Sequence, residues 1–406
     1  MPCRDAFEAR LRERTLSDEK RIDPAPETSV ATPRRAGSPT GEVAGAFGDL
    51  GTFLPHVVSA MTVGGLSPTG LFVGFGLFYM ATGFIYRLPI PVQPMKAVSA
   101  VLVTSGLSPG AIAATGVILG AVLLLLAFTG LIERLSRAIP QSVTAGLQIG
   151  LGVTLALLGF ELMMEVPWLG FGMLALVSLL MLVPRCPATL IALALAVGAG
   201  QAFGLTHAPA ATEPQLALPA LVLPSWADVG IALQEAVLPQ LALTITNAII
   251  VTAALARSLF PDGGDRVTER RLAVSSGAAN LLLTPFGALP MCHGAGGLVA
   301  HHRFGARTGA APLILGALFL GLGLFFSAAA LDLLRMIPMA AVGAFLAVAG
   351  ADLAISRRVF DARPSCWPVI AAAALVTVAV NPAVGLLVGF AAEMLRARVM
   401  AHFARR

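Results

Sequence analysis

Charge is scarce in this sequence. Charged side chains make up 12% of it and hydrophobic ones 57%, whereas a soluble chain carries charge on about a quarter of its residues. A water-soluble fold is excluded, and the expected class is an all-α polytopic membrane protein. Cysteine is also rare. Cys3, Cys186, Cys292 and Cys366 share no paired spacing, so a disulfide framework, a thiolate metal centre and redox chemistry have no basis. Lysine is nearly absent, Lys20 and Lys96 standing against 25 arginines, a skew that fits a bacterial genome of high GC content and an inner-membrane location. The net charge of +5 comes from loop arginines, which the orientation rule of membrane proteins explains; no nucleic-acid partner is expected. Residues 1–42 hold eight basic and eight acidic side chains and no apolar run. They lack a signal-peptide core, their acidity argues against a transit peptide, and they read as a flexible cytosolic tail.

Apolar stretches, by contrast, recur from Val43 onward at about the 20 residues a crossing helix needs. We count fourteen: Ala44 to Gly64, Thr69 to Tyr86, a short piece from Pro94 to Ser105, Gly110 to Ile132, Pro140 to Phe160, Val166 to Leu182 and Ala188 to Gly204; then Ile231 to Ala256, Leu272 to Phe286, a short piece from Met291 to His301, Ala310 to Leu331, Ile337 to Leu353, Trp367 to Val380 and Pro382 to Leu395. The layout is a tail (1–42), a first set of seven spans (43–207), an external loop (208–230), a second set of seven (231–396) and a short cytosolic C-terminus (397–406). With the N-terminus inside, 17 arginines from Arg87 to Arg406 fall on the inner side after the tail and only Arg335 outside, the bias expected of a correct topology. Pro94-Met95 recurs as Pro290-Met291 at an offset of 196. Two odd-numbered sets run in opposite directions, which is the inverted-repeat plan of secondary transporters. Glycine (42) and proline (28) are plentiful, and matched Gly/Pro-interrupted segments, here the third and tenth spans, point to the binding site.

Ionisable groups inside the spans are few and costly. Asp49 lies in GAFGDLGTFLPH (Gly45 to His56), where helical spacing puts Asp49, Thr52, Phe53 and His56 on one face. In PIPVQPMK (Pro89 to Lys96) three prolines force extended backbone, so the helix is expected to start at Pro94 with Gln93, Met95 and Lys96 at its mouth. A helix N-terminus is equivalent to about half a positive charge and binds anions. Lys96 either adds to that charge or pairs with Asp49. GALPMCHGAGGL (Gly287 to Leu298) repeats the design, with Cys292, His293 and Gly294 offering first-turn N–H groups. In the eighth span Gln240, Thr244 and Asn247 share a side and read as a further part of the site. His301, His302 and Asp352 read as solvated or ion-paired groups near the inner boundary. Asp49, His293 and His56 are the candidate proton carriers. No metal set and no cofactor is expected.

The strings GDLGTFLP (Gly48 to Pro55), PVQPMK, PQLALTITN (Pro239 to Asn247) and GALPMCHGAGGLVAHHRFGARTG (Gly287 to Gly309) resemble the molybdate transporter family, a distant branch of the sulfate-permease and nucleobase-transporter superfamily. The resemblance runs from Ala44 to Glu393. It implies fourteen spans in two inverted sets, a core and a gate domain, and an oxyanion held between the third and tenth half-helices. Two positions depart from the family's pattern: Ala242 stands where a proline is expected, which would straighten the eighth span, and His56 where an apolar residue is expected. A C-terminal regulatory domain of the sulfate-permease kind is not expected.

The reading that follows is a secondary transporter importing molybdate by alternating access, coupled to a cation, most simply H+, with membrane lipid and a second copy in a homodimer as further partners. Sulfate or another tetrahedral oxyanion is the alternative, since helix ends recognise charge and shape without naming the central atom. A channel would need a hydrated ring of side chains, and an intramembrane enzyme a nucleophile beside Asp49 and His293; neither is evident. The charge bias places both termini in the cytosol. A lone cysteine replacing Ser38 or His402 should therefore be blocked by an impermeant maleimide only after cells are opened, and labelling of intact cells would reverse the topology.

Overall fold

The computed structural model describes residues 38–183, 188–206, 213–355 and 362–403; most of the N-terminal tail lies outside them. The elements are α1 (Pro39–Ala46), α2 (Leu50–Thr62), α3 (Pro68–Tyr86), β1 (Gln93–Pro94), α4 (Lys96–Ser105), α5 (Pro109–Thr129), α6 (Ile132–Ala138), α7 (Gln141–Met163), α8 (Pro167–Leu182) and α9 (Ala188–Ala202). There follow α10 (Trp226–Leu259), then α11 (Glu269–Leu283), β2 (Met291–Cys292), α12 (Ala295–Arg303), α13 (Ala310–Phe325), α14 (Ser327–Arg335), α15 (Met339–Ala354), α16 (Trp367–Ala379) and α17 (Pro382–Phe403). Among the described residues, α3, α5, α7 and α10 are long and apolar enough to cross a membrane, and α4, α8, α13, α15 and α16 are shorter apolar helices.

Local signals account for many of the boundaries. Ser108 caps α5 by accepting from Ala111 N–H, Pro109 occupies its first turn, and Gly130 closes it at a positive φ of 70°, the usual N-terminal serine-proline and C-terminal glycine pairing. Gly106 ends α4 in the same left-handed conformation.

Several expected bounds move. The first span is broken in two at Phe47–Asp49, and Asp49 sits at the start of α2 rather than mid-helix. The boundary drawn at residue 42 falls inside α1: Glu42 is buried and its carboxylate accepts from the N–H groups of Arg307 and Thr308 at 2.9 and 3.0 Å. The third span does not start its helix at Pro94. Pro94 is in the strand, and Met95 donates its N–H to Pro290 O at 2.9 Å, so helical geometry begins only at Lys96. The tenth span likewise keeps Met291 and Cys292 extended and turns helical at Ala295. Without proline at 242, α10 is continuous over 34 residues, yet it is not regular, because Ala232–Val237 and Thr244–Val251 widen to i→i+5 turns, local bulges that often mark functional sites. The segment from 213 to 225 runs extended, with Gln215 and Ala217 donating to Phe325 O and Leu324 O.

Two helix groups are visible. In one, α3 packs on α13 and α5 on α11; in the other, α7 packs on α15 and α16, α8 on α15, and α16 on α17. Each of these contacts apart from the last pairs an element before residue 207 with one after 213. The groups touch where α4 meets α7 and α2 meets α15. A buried aromatic cluster, Phe53 edge-on to Phe75 and stacked on Phe319 with centroids 4.8 and 5.0 Å apart, anchors α2 in the first group, so Phe53 faces the core and not the polar side that Asp49 takes.

Apolar burial cannot by itself drive helices together in lipid, so close backbone approach must do much of the work. Where α7 crosses α15, a Cβ on Gly152 would meet Gly350 O at 2.4 Å and one on Gly343 would meet Gly159 O at 2.5 Å. Both contacts are backbone on backbone and cannot be relieved by a rotamer change. Gly350→Leu should lower the thermal midpoint of the detergent-purified protein, at a cost of about 1–3 kcal/mol or more from overpacking; an unchanged midpoint would show that the crossing relaxes freely.

Candidate functional site

Two helices, α4 and α12, begin inside the fold, and the structure brings the two strands that lead into them together. β1 and β2 pair antiparallel, Gln93 opposite Cys292 and Pro94 opposite Met291. Proline at 94 costs no ladder bond that the neighbouring Met95 N–H does not make. Asn280 on α11 clamps the second strand: its Oδ1 accepts from Met291 N at 2.8 Å and its Nδ2 donates to Met291 O at 2.6 Å and Ser276 O at 2.7 Å. As a result α4 and α12 start close to one another, their positive ends towards the same interior region.

Asp49 occupies that region. It is 1% exposed. The Gln93 amide donates to Oδ1 and Oδ2 at 2.8 and 2.7 Å and to the Thr52 hydroxyl at 2.9 Å, and Thr52 in turn donates to the Asp49 carboxylate. Every partner is neutral, an unusual setting for a buried carboxylate. The cluster leans on glycine. A Cβ on Gly294 would fall 1.6 Å from Gln93 Oε1, and one on Gly297 would fall 2.4 Å from Asp49 Oδ2.

The two half-helix ends differ. At α4 the side chain of Gln240 on α10 has taken the free donors, its Oε1 accepting from Ala97 N at 2.9 Å and Val98 N at 3.4 Å, while its Nε2 donates to Thr244 Oγ1 at 2.9 Å. At α12 no side chain caps the first turn, and Gly294 is the N-cap. The open donors there belong to Ala295, Gly296 and Gly297, three residues later than the Cys292, His293 and Gly294 expected from sequence, because the strand pairing holds 291–292 extended.

Lys96 is where expectation and structure part most clearly. It does not pair with Asp49. Its Nζ lies 3.1 Å from Asp352 Oδ2 on α15, in an ion pair with side chains 30% and 49% exposed. Asp352, expected at the inner boundary as a solvated group, therefore reaches the mouth of α4 and ties one helix group to the other. Such partly exposed pairs contribute little stability; the weight of this one is its position.

Three of the histidines bond to other elements of the fold. His293 is fully buried, with Nε2 2.7 Å from Ser275 Oγ and Nδ1 3.0 Å from Pro91 O, packed against Phe78 and Tyr86. It fastens the loop before β1 to α11 and does not point at the Asp49 cluster. His56 binds Ser99 Oγ through Nδ1 at 2.9 Å, tying α2 to α4. His301, expected on a solvated face, is buried with Nδ1 3.0 Å from Pro89 O, whereas His302 is only partly buried. Of the remaining candidates, Met95 is fully buried and Cys292 is 8% exposed, and Asn247 lies in the second wide turn of α10, which packs on α12.

Sequence reasoning missed Asn280, Gly297 and Asp352. The first had a readable sign, an amide in an apolar span that must find a partner in lipid; Gly297 stands in the same glycine run as Gly294; nothing local marks Asp352. No group of three or more metal-ligating side chains occurs among the described residues. A cavity of about 790 Å³ lies elsewhere, at the far ends of α2, α7 and α9, lined by Thr62, Ser67, Glu165, Arg335 and Met339 among others, and none of the candidate residues borders it.

The comparisons with known proteins bear on the family and the fold. The family profile described as "Molybdate transporter of MFS superfamily" matches residues 41–155 and 232–353, leaving α8, α9 and the segment after them unmatched. Molybdate transporter 2 of Arabidopsis thaliana is 29% identical over 398 residues, covering 85% of this chain and 84% of its own length. Molybdate transporter 1 of Chlamydomonas reinhardtii is 28% identical, covering 86% and 89%. Among solved structures, the transmembrane domain of the cyanobacterium bicarbonate transporter BicA superposes with a TM-score of 0.64 at 17% identity over 86% of this chain and 96% of its own. Murine Solute Carrier 26 family member A9, an anion transporter solved in the inward-facing state, gives 0.65 at 14% identity over 95% and 75%.

Because Gln93 fills the space beside Gly294, Gly294→Val must eject it from the Asp49 carboxylate. Uptake should fall at least tenfold with protein abundance unchanged, and wild-type uptake by that variant would remove α12 from the site.

Proposed function

Since this chain belongs to the molybdate transporter family, we propose that it imports molybdate by proton-coupled alternating access, the oxyanion lying between the N-termini of α4 and α12. The chain is a multi-pass membrane anion transporter and not an enzyme: its relatives are named transporters, and its fold is that of anion transporters. The finer reading rests on one observation above all, the meeting of two broken-helix N-termini over a buried carboxylate held by neutral donors. Helix ends supply positive potential and N–H groups without a bulky side chain, which suits a compact tetrahedral dianion. Thr52, Gln93, Met95, Lys96, Gln240, Thr244, Asn247, Cys292, His293 and Gly294 are its proposed surroundings. Of these His293 acts by holding the backbone in place, and Gln240 by keeping the α4 donors occupied until the anion displaces its amide oxygen.

Charge arithmetic carries the coupling. Two helix ends contribute roughly one positive charge together and Lys96 a second, but Asp49 and Asp352 each subtract one, so the site has no net charge to offer a dianion. Protonation of Asp49 and separation of Lys96 from Asp352 restore the balance. Asp49 is the proton carrier because it is interior and lacks a cation; His293 and His56, each held by a hydroxyl, are secondary candidates. Entry into a negative-inside cell costs about 2.3 kcal/mol per charge per 100 mV, so uncoupled import of a dianion runs uphill.

The wider layout is part of the proposal: two inverted seven-span sets, one opening with α1 at Pro39 and the other with α10 at Trp226 instead of at residues 43 and 231, the α3–α13 and α5–α11 group as a mobile core, and the α7–α15 group as a gate through which a homodimer forms. The exchange of partners between the two halves and the antiparallel strand pair support it. A bacterial inner membrane with both termini cytoplasmic is proposed from arginine usage and loop charge; the curated relatives named above are plant and algal. Sulfate remains the alternative cargo, separated by competition among molybdate, tungstate and sulfate in reconstituted vesicles.

Asp49→Asn keeps one acceptor oxygen for the Gln93 amide while removing the titrating group. It should retain molybdate exchange within a few-fold yet lose stimulation by an inward proton gradient. Wild-type uptake indifferent to both a pH step and an imposed potential would end the coupling reading.

A further inference from the structure

A second charged feature lies away from the helix-end site. Between the end of α3 and the start of α11 a groove of about 510 Å³ is lined at its mouth by Arg270 and Arg271 and along its wall by Ile85, Val274 and Ala278. Both arginines are exposed. Arg270 has no hydrogen-bond or ion-pair partner among the described residues, and Arg271 donates only to a main-chain oxygen, Arg266 O, at 3.1 Å. The adjacent carboxylate, Glu269, is committed to Arg257 at 2.9 Å. Two arginines thus line one groove without a counter-anion among the described residues. From them an apolar face descends α11 through Val274 and Ala278, one and two turns on, with Ile85, 50% exposed, on the α3 side of the groove.

We propose that this groove binds an anionic phospholipid, the phosphate on Arg270 and Arg271 and an acyl chain along Val274 and Ala278. A planar guanidinium recognises phosphate through paired, charge-assisted hydrogen bonds, and basic pockets between crossing helices are the sites where acidic headgroups dock. A free phosphate would use the mouth but leave the apolar wall without an occupant; a phospholipid uses both. The groove also has a route inward. Ser275 on its floor lies 2.7 Å from Tyr86 OH and 2.7 Å from His293 Nε2, so the bound lipid would rest on the residues that hold β1 and β2 in place. The proposal does not depend on which anion is carried.

The test uses the full-length protein. Purified from a mixture of phosphatidylglycerol and phosphatidylcholine, the wild type should retain phosphatidylglycerol in native mass spectra at least tenfold over phosphatidylcholine, and phosphatidylglycerol should raise its thermal midpoint while inorganic phosphate does not. The double variant Arg270→Gln/Arg271→Gln should lose that preference, and Arg266→Gln, in the turn before α11, should keep it. The midpoint of each variant in phosphatidylcholine alone reports whether it is folded. Equal retention of the two lipids by the wild type, an equal shift from phosphate alone, or full preference in a folded double variant would each overturn the site.

Discussion

A backbone that stops being helical inside a membrane must find partners for its N–H and C=O groups, because lipid supplies none. That constraint organises the interior of this protein. The chain breaks its helices at Pro89–Met95 and Gly287–Gly294 and satisfies the exposed groups with an antiparallel pair two residues long on each side, helped by Met95 N–H on Pro290 O and the double clamp of Asn280 on Met291. The price is a fixed geometry. Once the strands are paired, α4 and α12 must start beside one another, and two positive helix ends meet in one place.

The histidines follow from the same constraint. His293 and His301 direct their Nδ1 atoms to the carbonyls of Pro91 and Pro89, two groups that the proline-rich entry leaves outside any helix. A proline-rich strand has carbonyls to satisfy and few N–H groups to answer them, so imidazoles from the opposite half supply the contact. Both imidazoles thereby fasten the extended segment. Glycine acts in the same way at α12: a side chain at 294 or 297 would occupy the volume now held by Gln93 and Asp49.

Against this rigid centre stands one contact that crosses between helix groups, Lys96 with Asp352. It adds to the contacts that α4 makes with α7 and α2 with α15. A partly exposed pair of this kind is weak. The structure therefore holds both a buried polar centre and a weak electrostatic tie at its edge.

Much of the architecture was legible in one dimension. The scarcity of charge, the recurrence of apolar stretches, the serine-proline starts and glycine stops, and the echo of Pro94-Met95 in Pro290-Met291 are local or periodic signals, and the elements α3, α5, α7, α8 and α15 lie within a few residues of where those signals put them. The pairing of Asp49 with Gln93 and Thr52 was half visible, since all three stood among the site candidates. The partner of Lys96, the capping of α4 by Gln240, and the inward turn of His301 were not. Each joins residues between 143 and 256 positions apart, and a side chain's spacing along its own helix says which face it takes but not which face of which other helix lies opposite. Composition and periodicity determined that this chain spans a membrane with two broken helices; only the packing of one half against the other decided which charges meet, because electrostatic partnership depends on distance in space, and in a polytopic protein that distance is set by helices far apart in the chain.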